Sequence, residues 1–150
     1  MAKQHGRAPG LSASVINAYL TRKGSPLNAE GENFMAVGRQ YDLDPRFLVA
    51  IAGAESGFGT NVTSGTNNAW NWRYHGSRSP FTSWLTGMTS VAKGLTKANS
   101  VYDLTNTSVF YAKFCAGDHT VGLRNLNTFM REQGADVTML GFPDIAGGAQ

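Results

Sequence analysis

The chain has few of the features that would stabilise a small protein by means other than packing. It contains one cysteine, Cys115, so no intramolecular disulfide can form. None of its apolar runs approaches the roughly 20 residues that a membrane-spanning helix needs, and no apolar signal core follows Met1. Strand-like alternation of apolar and polar residues is nearly absent. A chain of 150 residues is still long enough for one domain with a packed core.

Charge is also sparse and nearly balanced, with 13 Lys and Arg against 10 Asp and Glu and a net charge of +3. The chain lacks a dense Lys/Arg stripe and an RNA-binding aromatic motif, so no nucleic-acid partner is expected. His75, His119 and Asp118 have no recognisable metal-ligand spacing, and we expect neither a metal nor another cofactor. Cys115 is expected to fill core space rather than to act as a nucleophile.

Apolar residues recur every three or four positions in several segments, which predicts a mainly α fold. The predicted helices run from residue 12 or 14 to 23, 30 to 41, 45 to 55, 83 to about 99, from 107 onward, and from about 120 to 133. Residues 1–10 have the composition of a disordered basic tail, residues 11–134 form the expected domain, and residues 135–150 are expected to be a C-terminal tail.

The helix that ends near Glu55 is the most informative segment. Asp44 can accept hydrogen bonds from the first free amides, and Pro45 suits the first helical position. The residues between Phe47 and Ala54 are almost all apolar, which predicts a buried helix with a carboxyl group at its end. Burial raises the pKa of a carboxyl group, and a carboxyl that stays protonated near neutral pH can serve as a general acid. The alternative is a surface glutamate at a helix C-terminus, where a negative charge is slightly unfavourable.

The motif around this glutamate, Ala54-Glu55-Ser56-Gly57-Phe58-Gly59, resembles the catalytic core of the lysozyme-like peptidoglycan glycosidases. The similarity is nearest to glycoside hydrolase family 73, the bacterial endo-β-N-acetylglucosaminidases, to which goose-type lysozymes and lytic transglycosylases are related. In these families a helix ends in Ala-x-Glu-Ser-Gly-aromatic-Gly, and its glutamate is the general acid, which maps onto Glu55. The resemblance covers roughly residues 27–134 and implies a lysozyme-like helical domain with a long irregular substrate-binding loop.

Two weaker blocks follow in the order that the family has them. Asn67-Asn68-Ala69-Trp70-Asn71-Trp72 is similar to the family segment Asn-Leu-Phe-Gly-Ile, although Trp70-Asn71-Trp72 is bulkier than Phe-Gly-Ile. Pro80-Phe81-Thr82-Ser83-Trp84 is similar to the aromatic-x-Ser segment that opens the next family helix. Phe114-Cys115-Ala116-Gly117 resembles the Tyr-Asn-Ala-Gly of the transglycosylases. Because Phe114 has no phenol oxygen, any contact made by the family tyrosine is missing or comes from Tyr111.

Residues 57–80 are rich in Gly, Ser, Thr and Asn, which predicts a loop, and so long a loop in a compact domain is usually functional. Aromatic side chains can cover the apolar faces of sugar rings, while amide and guanidinium groups bind the polar edges. Alternatively, the loop tryptophans simply cover the core. The residues expected to bind substrate are Ser56, Ser64, Asn68, Trp70, Trp72, Tyr74, Tyr111 and Asp118.

A second catalytic carboxylate is not evident, because no acidic residue lies between Glu55 and Tyr102, where several family 73 enzymes carry one. An inverting glycosidase places its base roughly 6.5–9.5 Å from its acid. We expect neither Asp103 nor Asp118 to be held at that distance, which would leave Glu55 as the only catalytic carboxylate.

The resemblance implies a glycosidase that cleaves the β-1,4-linked aminosugar backbone of peptidoglycan. Three alternatives remain open: a lytic transglycosylase, a catalytically silent peptidoglycan-binding domain, and an unrelated helical interaction domain. The expected partner is peptidoglycan or a related aminosugar polymer, and the mildly basic charge suits an anionic polymer. A monomer is expected, and it would be secreted, associated with the cell wall or delivered by a phage, although no signal peptide is visible.

Overall fold

The computed structural model describes residues 10–74, 77–78, 80–97 and 120–135, together with positions 102, 104, 110, 113 and 114; of residues 74, 77 and 78 it describes the backbone. These residues are mainly α-helical, as predicted. The expected tails, residues 1–10 and 135–150, lie outside this part of the chain except for Gly10 and Ala135. The helix predicted from residue 107 also lies largely outside it.

Five helices and one short strand pair make up the described architecture. The helices are α1 (Ala13–Arg22), α2 (Gly31–Tyr41), α3 (Pro45–Ser56), α4 (Trp84–Thr96) and α5 (Thr120–Glu132). Strands β1 (Arg73–Tyr74) and β2 (Ser77–Arg78) pair antiparallel, with Arg73 opposite Arg78. The segment predicted as loop therefore contains a minimal hairpin. Within the described residues, no helix is both long enough and apolar enough to cross a bilayer.

Three helices begin next to a predicted first residue, 12, 44 or 83, whose side chain caps the helix. The Ser12 hydroxyl accepts a hydrogen bond from the amide of Val15 at 3.2 Å, so Ser12 rather than Ser14 is the cap of α1. Asp44 accepts from the Arg46 amide at 2.9 Å and Pro45 occupies the first helical position of α3. Ser83 caps α4 through the Thr86 amide at 3.0 Å. Each cap satisfies an amide that has no partner within the helix.

The helix ends are less uniform. α3 ends where Gly57 adopts a left-handed φ of 58°, a conformation that costs glycine little. α4 ends at Thr96, because Lys97 is extended, and so stops before the predicted position near residue 99. α5 ends at Glu132, one residue before the predicted Gln133.

Helix α3 forms the centre of the core. Its residues 47–52 are each fully buried, which explains the nearly uninterrupted apolar sequence there. It packs most extensively against α5, and it also contacts α2, which in turn contacts α1 and α4. Gln133 just beyond α5 donates to the Arg46 carbonyl near the start of α3, whereas Phe129 packs against Gly53 near its end. The two helices therefore run in opposite directions, and α5 begins at the end of α3 that carries Glu55.

A polar contact joins α1 to the end of α5. The Tyr19 hydroxyl donates to Glu132 Oε1 at 2.6 Å, and Lys23 Nζ lies 2.9 Å from the same oxygen. The Lys23 ammonium also lies 5.5 Å from the ring centroid of Phe129 and 5.8 Å from that of Phe58, a cation–π arrangement. Burial raises the pKa of Tyr19. Burial would also raise the pKa of Glu132, but the hydrogen bonds from Tyr19 and Lys23 outweigh it and hold the pKa below its ordinary value.

This contact predicts a pH-dependent contribution to stability. Because the folded-state pKa of Glu132 is depressed, its contribution is present above the unfolded-state pKa of about 4.5 and is lost as the pH falls through the folded-state value. We expect Glu132→Gln to lower the free energy of unfolding at pH 7 by less than about 1 kcal/mol, since the carboxylate is partly exposed and screened. In urea titrations the difference from wild type should shrink as the pH falls below about 4.5. As a control, Glu32→Gln makes the same replacement at an exposed position of α2 that takes no part in this contact. An equal profile for both variants would contradict the assignment.

Candidate functional site

Glu55 lies in the last turn of α3, at the point where the chain leaves the core. The preceding residues through Gly53 are buried, whereas Ala54 and Glu55 are half-buried. Its carboxyl group is therefore carried by a helix that is buried over residues 47–53, while it remains at the edge of the core. This is the position that the sequence predicted for it.

The turn after Glu55 is anchored in the core. Gly57, Phe58 and Gly59 all have positive φ, and for Phe58 this conformation is strained, at a cost on the order of 1–3 kcal/mol. The Phe58 amide bonds to the Ala52 carbonyl at 3.0 Å, and the Ser25 hydroxyl donates to the Phe58 carbonyl at 2.6 Å. The buried Phe58 ring packs against Phe129. The turn that directs the chain away from Glu55 is thus held by contacts to α3, to α5 and to the connection between α1 and α2.

Ser56 has a structural role in place of the predicted substrate contact. Its hydroxyl lies 2.6 Å from the Ala69 carbonyl and 3.1 Å from the Ala52 carbonyl, and it accepts a hydrogen bond from the Gly59 amide at 2.8 Å. The side chain is buried, which leaves no surface for a substrate. Ser56 instead joins the end of α3 to the far part of the loop.

The Asn68 side chain also forms hydrogen bonds within the protein. Its amide group donates to the Trp72 carbonyl at 2.9 Å, and its oxygen accepts from the Trp72 amide at 2.9 Å. With the side chain 4% exposed, the predicted sugar contact of Asn68 is replaced by a two-bond clamp on the backbone of Trp72.

Trp70 belongs to the core, which corrects its prediction as a sugar platform. Its ring is fully buried and its Nε1 donates to the Leu48 carbonyl of α3 at 2.9 Å. It also lies edge-on to Phe34 of α2, with ring centroids 6.5 Å apart, and against Gly87 of α4. The indole therefore fills the space between three helices, and neither of its faces is available to a ligand.

Trp72 is half-buried and has a different environment. Its ring tip lies against Gly94 of α4, where an added methyl group would be 2.3 Å from Cζ2. It contacts Tyr102 and Phe114, each with ring centroids 6.1 Å away. Burial raises the pKa of Tyr102. Trp72 thus lies at the edge of an aromatic cluster, keeps part of its surface exposed, and directly follows Asn71, which contacts the backbone of Glu55.

Of the other residues predicted to bind substrate, the structure describes one side chain. Ser64 lies on an exposed turn of the loop. Tyr74 lies in β1, and its side chain is outside the described part of the structure, as are Tyr111 and Asp118 entirely. The predictions on Asp103, His75, His119 and Cys115 also lie outside it. The structure therefore joins Glu55, Ser56, Asn68 and Trp72 through one loop, whereas the predicted contacts of Tyr74, Tyr111 and Asp118 lie outside the side chains that it describes.

Asn71 is the contact residue that the sequence prediction undervalued. Its Nδ2 donates to the backbone carbonyl of Glu55 at 2.8 Å. Its φ of 49° lies in the left-handed region, which asparagine tolerates better than most residues. An asparagine in a loop rich in Gly, Ser, Thr and Asn was the signal available from sequence for this backbone conformation.

Two of the described acidic residues are placed away from any catalytic partnership with Glu55. Asp44 caps the opposite end of α3, about 17 Å along the helix axis, and forms an ion pair with Arg46 at 2.8 Å. Glu132 is engaged with Tyr19 and Lys23. Among the residues that the structure describes, no three His, Cys, Asp or Glu side chains are grouped as a metal site. No protein-family model matches the sequence, and no curated protein sequence matches it at a significant level.

Proposed function

We propose that the protein is a lysozyme-like glycosidase that cleaves the β-1,4-linked aminosugar backbone of peptidoglycan, with Glu55 as the general acid. The observation that carries this proposal is the position of Glu55, which is half-buried in the last turn of a helix whose residues 47–53 are buried in the core. An acid at such an edge can reach a solvent-borne polymer while its main chain is fixed. The resemblance of residues 54–59 to the glycosidase motif supports the proposed reaction class, hydrolysis or cleavage of a glycosidic bond.

In the proposed reaction, the Glu55 carboxyl group donates its proton to the glycosidic oxygen as the bond to the anomeric carbon breaks. The cation-like sugar is then attacked by water, by the acetamido oxygen of the substrate, or by a hydroxyl group of the same sugar. The last two routes require no second protein carboxylate. Asp44 and Glu132 are engaged elsewhere in the fold, so neither is proposed as a second catalytic carboxylate.

Substrate binding is proposed for the loop beside Glu55, with Trp72 as the aromatic residue at its edge and Ser64 on its exposed turn. Trp72 has partial exposure and a fixed orientation against Gly94, both of which suit stacking on a sugar face. Tyr74, Tyr111 and Asp118 remain proposed contacts. The substrate lies outside the cytoplasm, so we propose a protein that acts at the cell wall after secretion or delivery by a phage.

Digestion of purified peptidoglycan, followed by mass spectrometry of the soluble products, tests the proposal. A glucosaminidase leaves reducing N-acetylglucosamine, a lysozyme leaves reducing N-acetylmuramic acid, and a lytic transglycosylase leaves an anhydromuramic end. Sedimentation with insoluble peptidoglycan, without release of fragments, would instead identify a silent binding domain. A folded protein that neither binds nor cleaves the polymer would end the proposal.

A further inference from the structure

We propose that Asn71 is a positioning residue, which holds the loop against the backbone of Glu55 and so fixes where the Glu55 carboxyl group meets its substrate. This inference rests on the proposed function of Glu55. Asn71 acts through Glu55 and needs no contact with the substrate.

The contact is made at the carboxyl end of α3, where the last carbonyl groups have no partner within the helix. The neighbouring carbonyl groups accept hydrogen bonds from residues close in sequence: the Gly57 amide donates to the Gly53 carbonyl, and the Asn61 amide donates to the Ser56 carbonyl. The Glu55 carbonyl instead accepts a hydrogen bond from Asn71 Nδ2, which lies at the far end of the loop, at 2.8 Å. A residue sixteen positions later thus contacts the backbone of the proposed acid.

Asn71 is itself firmly held. The residue before it is the fully buried Trp70, and the residue after it is Trp72, whose backbone is clamped by Asn68. A shift of the loop would therefore pull on the main chain of Glu55 rather than be absorbed by Asn71. Because a displacement of about 1 Å at a reacting group can reduce a rate roughly 100-fold, this link matters for turnover more than for folding.

The chain offers a matched control in the same loop. Asn67 also has a left-handed backbone, with φ of 50° against 49° for Asn71, and its Nδ2 likewise donates to a carbonyl, that of Phe81 at 3.0 Å. Glycine accepts this backbone conformation at both positions. Asn71→Gly and Asn67→Gly therefore each remove one amide-to-carbonyl hydrogen bond, but the first alone removes the bond to Glu55.

We expect Asn71→Gly to lower kcat for peptidoglycan cleavage at least about 10-fold with little change in KM. Asn67→Gly should retain kcat while losing a similar amount of thermal stability. The second readout is the titration midpoint of the Glu55 side-chain carboxyl group, followed by carbon NMR in the labelled protein. It should rise by about 0.3 pH units in Asn71→Gly, because the positive end of an N–H dipole leaves the negative end of the helix, and it should not move in Asn67→Gly.

The two readouts separate this inference from the proposed function. If the wild-type protein cleaves no peptidoglycan, the proposed function fails, and the titration midpoint alone decides whether Asn71 acts on Glu55. An unchanged midpoint in Asn71→Gly overturns the inference in either case. Where the wild type is active, equal losses of kcat in the two glycine variants would overturn it as well, since both would then reflect a looser loop.

Discussion

Replacement of Glu55 by glutamine is expected to reduce peptidoglycan cleavage at least ~100-fold, the usual scale of general acid catalysis. Glutamine keeps the size and shape of the side chain but has no proton to transfer to a leaving glycosidic oxygen. Because Glu55 is half-buried at the end of α3 rather than inside the core, the variant should fold normally. The release of soluble fragments from labelled cell walls, together with far-ultraviolet circular dichroism, measures both properties.

Glu132→Gln provides the control for this change. It makes the same chemical replacement on α5, where the carboxylate is engaged with Tyr19 and Lys23, and it should retain activity at neutral pH. Wild-type turnover by a folded Glu55→Gln protein would refute the assignment of Glu55 as the acid. Equal losses in both variants would point to a general effect of charge on binding to the polymer.

Truncation of Trp70 is expected to have the largest effect on stability. Trp70→Ala empties the space that the indole fills among α2, α3 and α4, and the loss from such a large buried side chain is about 3–5 kcal/mol. It also leaves the Leu48 carbonyl without the Nε1 donor that it now has at 2.9 Å. Urea unfolding should show a lower transition midpoint with an unchanged slope.

Two further variants identify the cause of that loss. Trp70→Phe keeps most of the ring but removes the donor, so its cost should be smaller, about 0.5–1.5 kcal/mol for the lost hydrogen bond to the Leu48 carbonyl. Trp72→Ala should cost less than Trp70→Ala, because Trp72 is half-buried, and it should weaken sedimentation with peptidoglycan. A Trp70→Ala protein as stable as wild type would show that the indole is not a core residue.

The helix starts could be predicted from the sequence because capping is a local interaction. Ser12, Asp44 and Ser83 each bond to an amide two or three residues away, so the pattern of a few neighbouring residues is sufficient. The end of α4 was placed about three residues too late, since the apolar pattern alone does not show where Lys97 becomes extended. The position of Glu55 was also predictable, because a long apolar segment with a cap at its start must be a buried helix.

The roles of the loop residues could not be predicted in the same way. Trp70 and Trp72 have the same side chain and nearly the same position in the sequence, yet one is enclosed by three helices and the other lies at the edge of a cluster. Their difference depends on Phe34, Gly87 and Gly94, which are distant in the chain. Asn68 looked like a sugar donor because an amide group binds a sugar edge and a peptide backbone equally well.

What the sequence by itself determined is therefore the mainly α fold, the capped helix that carries Glu55, and the presence of a long polar loop after it. These follow from periodicity and from contacts between near neighbours. Tertiary structure alone decided which loop side chains face the protein and which face the solvent. The fold alone brings the Glu55 carbonyl to Asn71, the Ala69 carbonyl to Ser56, and the gap among α2, α3 and α4 to Trp70, because these partners are distant in the chain.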